Sequence, residues 1–140
     1  MRKIILMGST ASGKTTLIQA IYNLSRQYKK TQTVEYVKNI LDTPGEYIEN
    51  KRFYNALIVS SYDCDVIGLV HDCTDATCIF PPNFASIFDK TVIGIITKID
   101  CTNKNIGWSE NCLKRAGAEH IFRISSFNGT GLEEIKDFLH

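Results

Sequence analysis

Short apolar runs alternate with amphipathic stretches along this chain. The runs are Ile4 to Met7, Ile40 to Leu41 (extendable back to Val37), Val66 to Val70, Val92 to Ile96 and Ile121 to Ile124. They are continuous rather than alternating and rich in Ile and Val, the pattern of strands in a parallel sheet covered on both faces. Between them, Leu17, Ile18, Ile21 and Leu24 fall on one face of a helix expected from about Lys14 to Ser25. Further helices are expected around Lys51 to Tyr62, Asn83 to Phe88, Ser109 to Ala116 and Leu132 to Leu139. The last carries Thr130 and Glu133 at the spacing of a capping box. Strands alternating with helices imply βαβ units, and these gather ligands at the carboxyl ends of the strands. Any chemistry is therefore expected just after each apolar run.

Composition narrows the picture in two ways. With 140 residues there is room for one domain, expected to occupy 1–140. Sixteen Lys plus Arg against fifteen Asp plus Glu leave a net charge of +1, so no field of one sign is available to hold a nucleic acid backbone. No window approaches the ~18 apolar residues of a membrane span, and the apolar start is too short for a signal peptide, so a cytoplasmic protein is expected. The five cysteines, Cys64, Cys73, Cys78, Cys101 and Cys112, show neither a C-x-x-C pair nor metal-ligand spacing and read as reduced thiols.

The first run leads directly into GSTASGKT, residues 8–15, which fits G-x-x-x-x-G-K-[ST] in full. Gly8, Ser9, Thr10, Ala11, Ser12 and Gly13 are expected to wrap their backbone N–H groups around phosphate oxygens at a helix N-terminus, with Thr16 completing the contacts. Lys14 would reach the β and γ phosphates, and the Thr15 hydroxyl would coordinate Mg²⁺. After the second run stands Asp42-Thr43-Pro44-Gly45. A carboxylate there can hold Mg²⁺ through a water, and Gly45 can bring its N–H close to a terminal phosphate because no side chain blocks the approach.

After the fourth run comes Thr97-Lys98-Ile99-Asp100. Guanine presents adjacent donors on N1 and the exocyclic N2, and one carboxylate, Asp100, accepts both; adenine offers no such pair. Lys98 can lay its stem over the base while Thr97 ties this loop to the phosphate loop. The last run ends in Ile124-Ser125-Ser126, where Ser125 and a backbone N–H near Ser126 are placed for the guanine O6. His71 reads as a structural histidine, Arg26 and Arg52 as solvated helix residues, and Trp108 and Phe127 as isolated aromatics.

GSTASGKT, DTPG, TKID and ISS, in this order, resemble the nucleotide-binding motifs of the Ras-like small GTPase superfamily. Within it, Lys30-Thr31-Gln32-Thr33-Val34-Glu35-Tyr36 followed by DTPGEY resembles the ethanolamine- and propanediol-utilisation EutP/PduV family, which is associated with bacterial microcompartments. The resemblance implies a three-layer α/β P-loop NTPase fold with a mainly parallel sheet, GTP and GDP as ligands, and Mg²⁺. It also implies a threonine that closes over the metal and senses the γ-phosphate. Thr31 and Thr33 both qualify, and the family match favours Thr31, which would join Lys14 and Gly45 in catalysis and Thr15 and Asp42 at the metal.

Only ten residues separate Thr31 from Asp42, too few for a full antiparallel hairpin, so a shortened first switch and second-strand region is expected. Glu46 stands where Ras-like enzymes often carry a water-orienting glutamine. An ionised carboxylate would repel a triphosphate, so Glu46 is expected to point away and hydrolysis to be slow. Thr10 replaces a small glycine and would crowd an inserted arginine. The expected function is slow GTP hydrolysis in a microcompartment-associated protein, with a shell protein as a further partner. The alternatives are an acetate kinase-like phosphotransferase using the same loop, or a nucleotide-bound scaffold without turnover.

Overall fold

The computed structural model describes residues 2–28 and 39–139, with the side chains of 22–28 outside that description. In chain order the elements are β1 (Ile4–Met7), α1 (Lys14–Tyr28), β2 (Ile40–Asp42), α2 (Glu46–Glu49), α3 (Tyr54–Ser61), β3 (Val66–Asp72), β4 (Thr91–Thr97), α4 (Ile106–Ala116), β5 (His120–Arg123) and α5 (Leu132–Leu139). The five described strands form one sheet, ordered β2-β1-β3-β4-β5, with every neighbouring pair parallel. In register, Ile5 stands opposite Leu41 and Ile67, and Leu69 opposite Gly94.

The continuous apolar runs follow from a sheet with two buried faces. Ile5, Met7, Ile67, Leu69, Val92 and Ile96 feed one core, where they meet Ile48 of α2, Leu57 of α3 and Leu113 of α4. Their alternates Ile4, Leu6, Val66, Val70, Ile93 and Ile95 feed the other, against Leu17 and Ile21 of α1 and Leu132, Ile135 and Leu139 of α5. Successive strand side chains point to opposite faces, so both sets must be apolar. The edge strands differ. Ile40 is half-buried and Leu41 exposed, and in β5 His120 and Arg123 are exposed, because among the described residues each edge strand has a neighbouring strand on one side alone.

Several local expectations need revision. The stretch expected as one helix from Lys51 to Tyr62 begins as a 3-10 turn at Lys51–Phe53, opened by an Asn50 side chain that accepts from the Arg52 N–H at 3.1 Å, and then becomes α3. Residues 83–88 yield only a 3-10 turn, Phe84–Ile87, held in place by Phe84 packing edge-on to Tyr54 and Phe88. The Thr130–Glu133 capping box does not form. Helix α5 starts at Leu132, one residue too late, and the Thr130 hydroxyl donates instead to Asn128 Oδ1 at 2.6 Å.

The cysteine reading is corrected as well. Cys78 and Cys112, expected as reduced thiols, are joined in a disulfide, while Cys64, Cys73 and Cys101 are free. The 34-residue separation hides the pairing from the sequence; the fold lays the loop after β3 across α4 and brings the two Cα atoms to 5.8 Å. The same loop is pinned by His71, which is buried, with Nδ1 2.7 Å from Ser109 Oγ of α4 and Nε2 2.8 Å from the Thr77 carbonyl. A carbonyl can only accept, so Nε2 carries the proton and His71 is a structural tie.

No helix among the described residues is long and apolar enough to cross a membrane. Denatured without reductant, the chain should titrate three thiols, rising to all five after reduction. Cys112→Ser should lower unfolding stability under oxidising conditions by about 2–4 kcal/mol, measured by urea denaturation, and reduced wild type should lose the same amount.

Candidate functional site

The carboxyl ends of β1, β2, β3 and β4 open onto one edge of the sheet, and the loop of residues 8–13 lies there between β1 and α1. Gly13 turns into α1 at φ 98°, a left-handed conformation that residues with a Cβ rarely take. Lys14 follows at the helix start. Its ammonium donates to the Gly8 carbonyl at 2.6 Å and the Ser9 carbonyl at 2.9 Å, and the residue is buried. Burial pushes the Lys14 ammonium below the ordinary lysine value, with Asp42 and Glu49 pulling it partly back.

Strand β2 ends at Asp42, and the Thr15 hydroxyl donates to Asp42 Oδ2 at 3.3 Å. The pair consists of oxygen donors alone, one neutral and one anionic. That suits Mg²⁺, which takes one or two protein oxygens and completes its shell with phosphate and water. The next residue, Thr43, was not singled out from the sequence. It is buried and donates to the Leu6 carbonyl at 2.7 Å, fixing the β2 exit against β1.

Gly45 has ordinary helical angles and is required for a different reason: a Cβ there would overlap the backbone nitrogen and hydroxyl of Thr10. The turn of residues 42–45 therefore packs directly on the phosphate loop. Helix α2 begins at Glu46, which is exposed. One turn after Gly45, Glu49 reaches back to the loop, accepting from the Thr10 N–H at 3.0 Å and from its hydroxyl at 3.1 Å.

At the other end of the loop lies a cavity of about 150 Å³. It brings together Gly13, Thr16, Thr97, Lys98, Asp100 and Ser126. The Thr97 hydroxyl donates to the Ser12 carbonyl at 2.7 Å, the tie between the two loops that the sequence suggests. Lys98 has φ 64°, unusual for a side-chain-bearing residue. Its ammonium bonds Asp72 Oδ2 at 2.7 Å and the Ala11 carbonyl at 3.3 Å, leaving the stem along the cavity. Burial alone would raise the Asp72 pKa, but hydrogen bonds from Lys98 and Thr74 outweigh it and hold the carboxyl below its ordinary value.

Ser125 was expected among the direct contacts. It is fully buried and its hydroxyl donates to Asp100 Oδ1 at 2.7 Å, so it acts through Asp100 by fixing that carboxylate at the cavity wall. Two further residues line the cavity without belonging to any motif. Cys101 follows Asp100, and Phe127, 90% exposed, stands at the rim beside Ser126. A single aromatic carries no pattern, and its place beside Lys98 depends on β4 and β5 pairing so that their ends meet. Thr31 and Thr33, with the short segment leading from them toward Asp42, lie outside the described residues as far as residue 38.

A family model described as "Ethanolamine utilisation - propanediol utilisation", PduV-EutP, matches residues 1–140. The chain is 36% identical over 141 residues to the propanediol utilization protein PduV of Citrobacter freundii, covering 100% of this chain and 94% of that one. It is 32% identical to a protein named probable acetate kinase EutP of Escherichia coli K12, covering 99% and 89%. In fold it resembles the FeoB G-domain from Methanococcus jannaschii, with a TM-score of 0.60 and 18% identity over 98% of this chain and 94% of that one. With its phosphate loop, its all-parallel described sheet and this match over its whole length, the chain is a Ras-like P-loop nucleotide-binding protein that belongs to the PduV–EutP family of propanediol and ethanolamine utilisation.

Proposed function

We propose that the protein binds guanine nucleotides with Mg²⁺ and hydrolyses GTP slowly to GDP and phosphate. The observation that carries this reading is the cavity beside the phosphate loop, where Asp100 is held by Ser125 and the Lys98 stem is held by Asp72. A fixed carboxylate pairs with the two adjacent donors of guanine and leaves an adenine edge unmatched. Thr97 binds that recognition loop to the phosphate loop, so base and phosphate contacts sit at a set separation.

At the phosphate end, the loop amides and Lys14 gather the charge that develops during transfer to water. Thr15 and Asp42 would hold Mg²⁺, and Thr31 would close over it; the ion, when bound, neutralises β- and γ-phosphate oxygens. Gly8, Ser9, Thr10, Ala11, Ser12, Gly13 and Thr16 supply the phosphate cradle, and Ser126 the base contact. Exposed Glu46 leaves the attacking water without a fixed base, which supports slow turnover. The family is one of propanediol and ethanolamine utilisation, and we infer a cytoplasmic protein that meets a microcompartment shell protein.

A second reading is favoured by the relative named as an acetate kinase. There an acetate oxygen attacks the γ-phosphorus, the bond to the bridging oxygen breaks, and acetyl phosphate leaves with the nucleoside diphosphate. The same loop and Lys14 would stabilise that transfer. Without either turnover, the protein would serve as a nucleotide-bound scaffold.

Asp100→Asn should weaken GDP binding by about 100-fold in isothermal titration and bring xanthine nucleotides above it, because the amide donates where the carboxylate accepted. Equal ATP and GTP binding by the wild type would refute the guanine assignment. Lys14→Ala should weaken triphosphate binding by more than about tenfold. Incubated with GTP and acetate, the wild type should release phosphate and no acetyl phosphate; acetyl phosphate that disappears with Lys14→Ala would make the kinase reading the correct one.

A further inference from the structure

Glu49 is attached to the phosphate loop by two hydrogen bonds across 39 residues of chain, and it belongs to none of the nucleotide-binding motifs. Both bonds converge on one oxygen, Oε2, from the Thr10 N–H and the Thr10 hydroxyl. The contact is built by the fold. Gly45, which caps the start of α2, and Glu49 at its end are four residues apart and joined by the Glu49 N–H to Gly45 carbonyl bond at 3.2 Å, and Gly45 itself rests on Thr10. The helix is anchored by Ile48 in the core and by Tyr47 stacked on Phe53 at 5.1 Å.

The position of Thr10 along the site matters. Gly13 and Thr16 border the base cavity, whereas Thr10, in the middle of the loop and outside that lining, faces the turn of residues 42–45. A nucleotide with its base beside Asp100 therefore extends its terminal phosphate toward Thr10 and Gly45. Loop amides attract anions, and Glu49 is an internal anion seated on one of them.

We propose that Glu49 sets the preference between nucleoside di- and triphosphate: its carboxylate holds the Thr10 donors that a terminal phosphate must claim, so triphosphate binds only by displacing it. This rests on the nucleotide reading of the site. A diphosphate ends short of Thr10 and leaves the Glu49 bonds intact. A triphosphate brings added negative charge against the carboxylate, and the repulsion is relieved only when Glu49 leaves the loop. Because Glu49 closes α2, its release is transmitted to that helix and to the turn at Lys51–Phe53 that follows it. Glu49 is thus a specificity-determining residue that opposes the γ-phosphate, and it converts the presence of that phosphate into a change in α2.

The test is to titrate wild type, Glu49→Gln and Glu49→Ala with GDP and with a non-hydrolysable β,γ-imido analogue of GTP, in Mg²⁺ at fixed ionic strength. Glu49→Gln should tighten the triphosphate analogue by about 10-fold or more and change GDP by less than about threefold. Glu49→Ala, which removes the acceptor as well as the charge, should shift the ratio in the same direction. GDP affinity serves as the folding control in each variant. A triphosphate-to-diphosphate ratio that is the same in all three proteins overturns the proposal alone; a wild type that binds neither ligand overturns the nucleotide reading and this proposal with it.

Discussion

The Thr97 hydroxyl on the Ser12 carbonyl is the bond on which the site geometry depends. It joins the end of β4 to the loop after β1, two strands that do not touch, since β3 lies between them. Without it the phosphate loop and the Lys98–Asp100 loop would be separate peptides on one sheet edge. With it, and with Lys98 bonded to Ala11, they form one continuous surface. A parallel sheet makes the bond possible, because it delivers every strand end to the same edge. Antiparallel pairing would have sent alternate ends to opposite sides.

Around that fixed loop, the other elements divide into supports and movable parts. Asp72 holds Lys98, Ser125 holds Asp100, and Thr43 holds the β2 exit on β1. These are buried side chains with satisfied hydrogen bonds, the kind of second layer that keeps a binding group in one orientation. The contacts of α2 are different. Glu49 and Thr10 meet at an exposed position, where water competes for both partners and the bond is easily exchanged. The Lys98–Asp100 side is therefore held by buried bonds, and the Thr10 side by exchangeable ones.

The disulfide and the His71 contacts stiffen a third region, the loop from Cys73 to Phe80 between β3 and the aromatic cluster of Phe80, Phe84 and Phe88. Cys73 itself remains a thiol. Burial raises its pKa, and its Sγ donates to the Lys98 carbonyl at 3.3 Å. A protonated thiol is a poor nucleophile, which fits a packing role beneath the base loop.

Much of this was legible from the chain alone. The α/β class, the five apolar runs and the order GSTASGKT, DTPG, TKID and ISS follow from local patterns: strand periodicity, glycine at tight turns, and chemistry placed after each strand. Local rules served less well where tertiary contact decides the outcome. Thr130 could cap a helix or close an asparagine turn, and packing of α5 one residue later selected the turn. Ser125 looked like a ligand contact because it follows a strand, but its inward rotation made it a partner of Asp100. The Cys78–Cys112 bond, the Asp72–Lys98 pair and the Glu49–Thr10 contact join residues 26 to 39 apart in sequence. No spacing rule marks such pairs, since the distance along the chain says nothing of the distance in space until the sheet has brought its strand ends together. The sequence by itself thus determined which chemistry stands at the sheet edge; the tertiary structure decided which of those groups face the cavity, which stand behind them, and which acidic residue meets the phosphate loop.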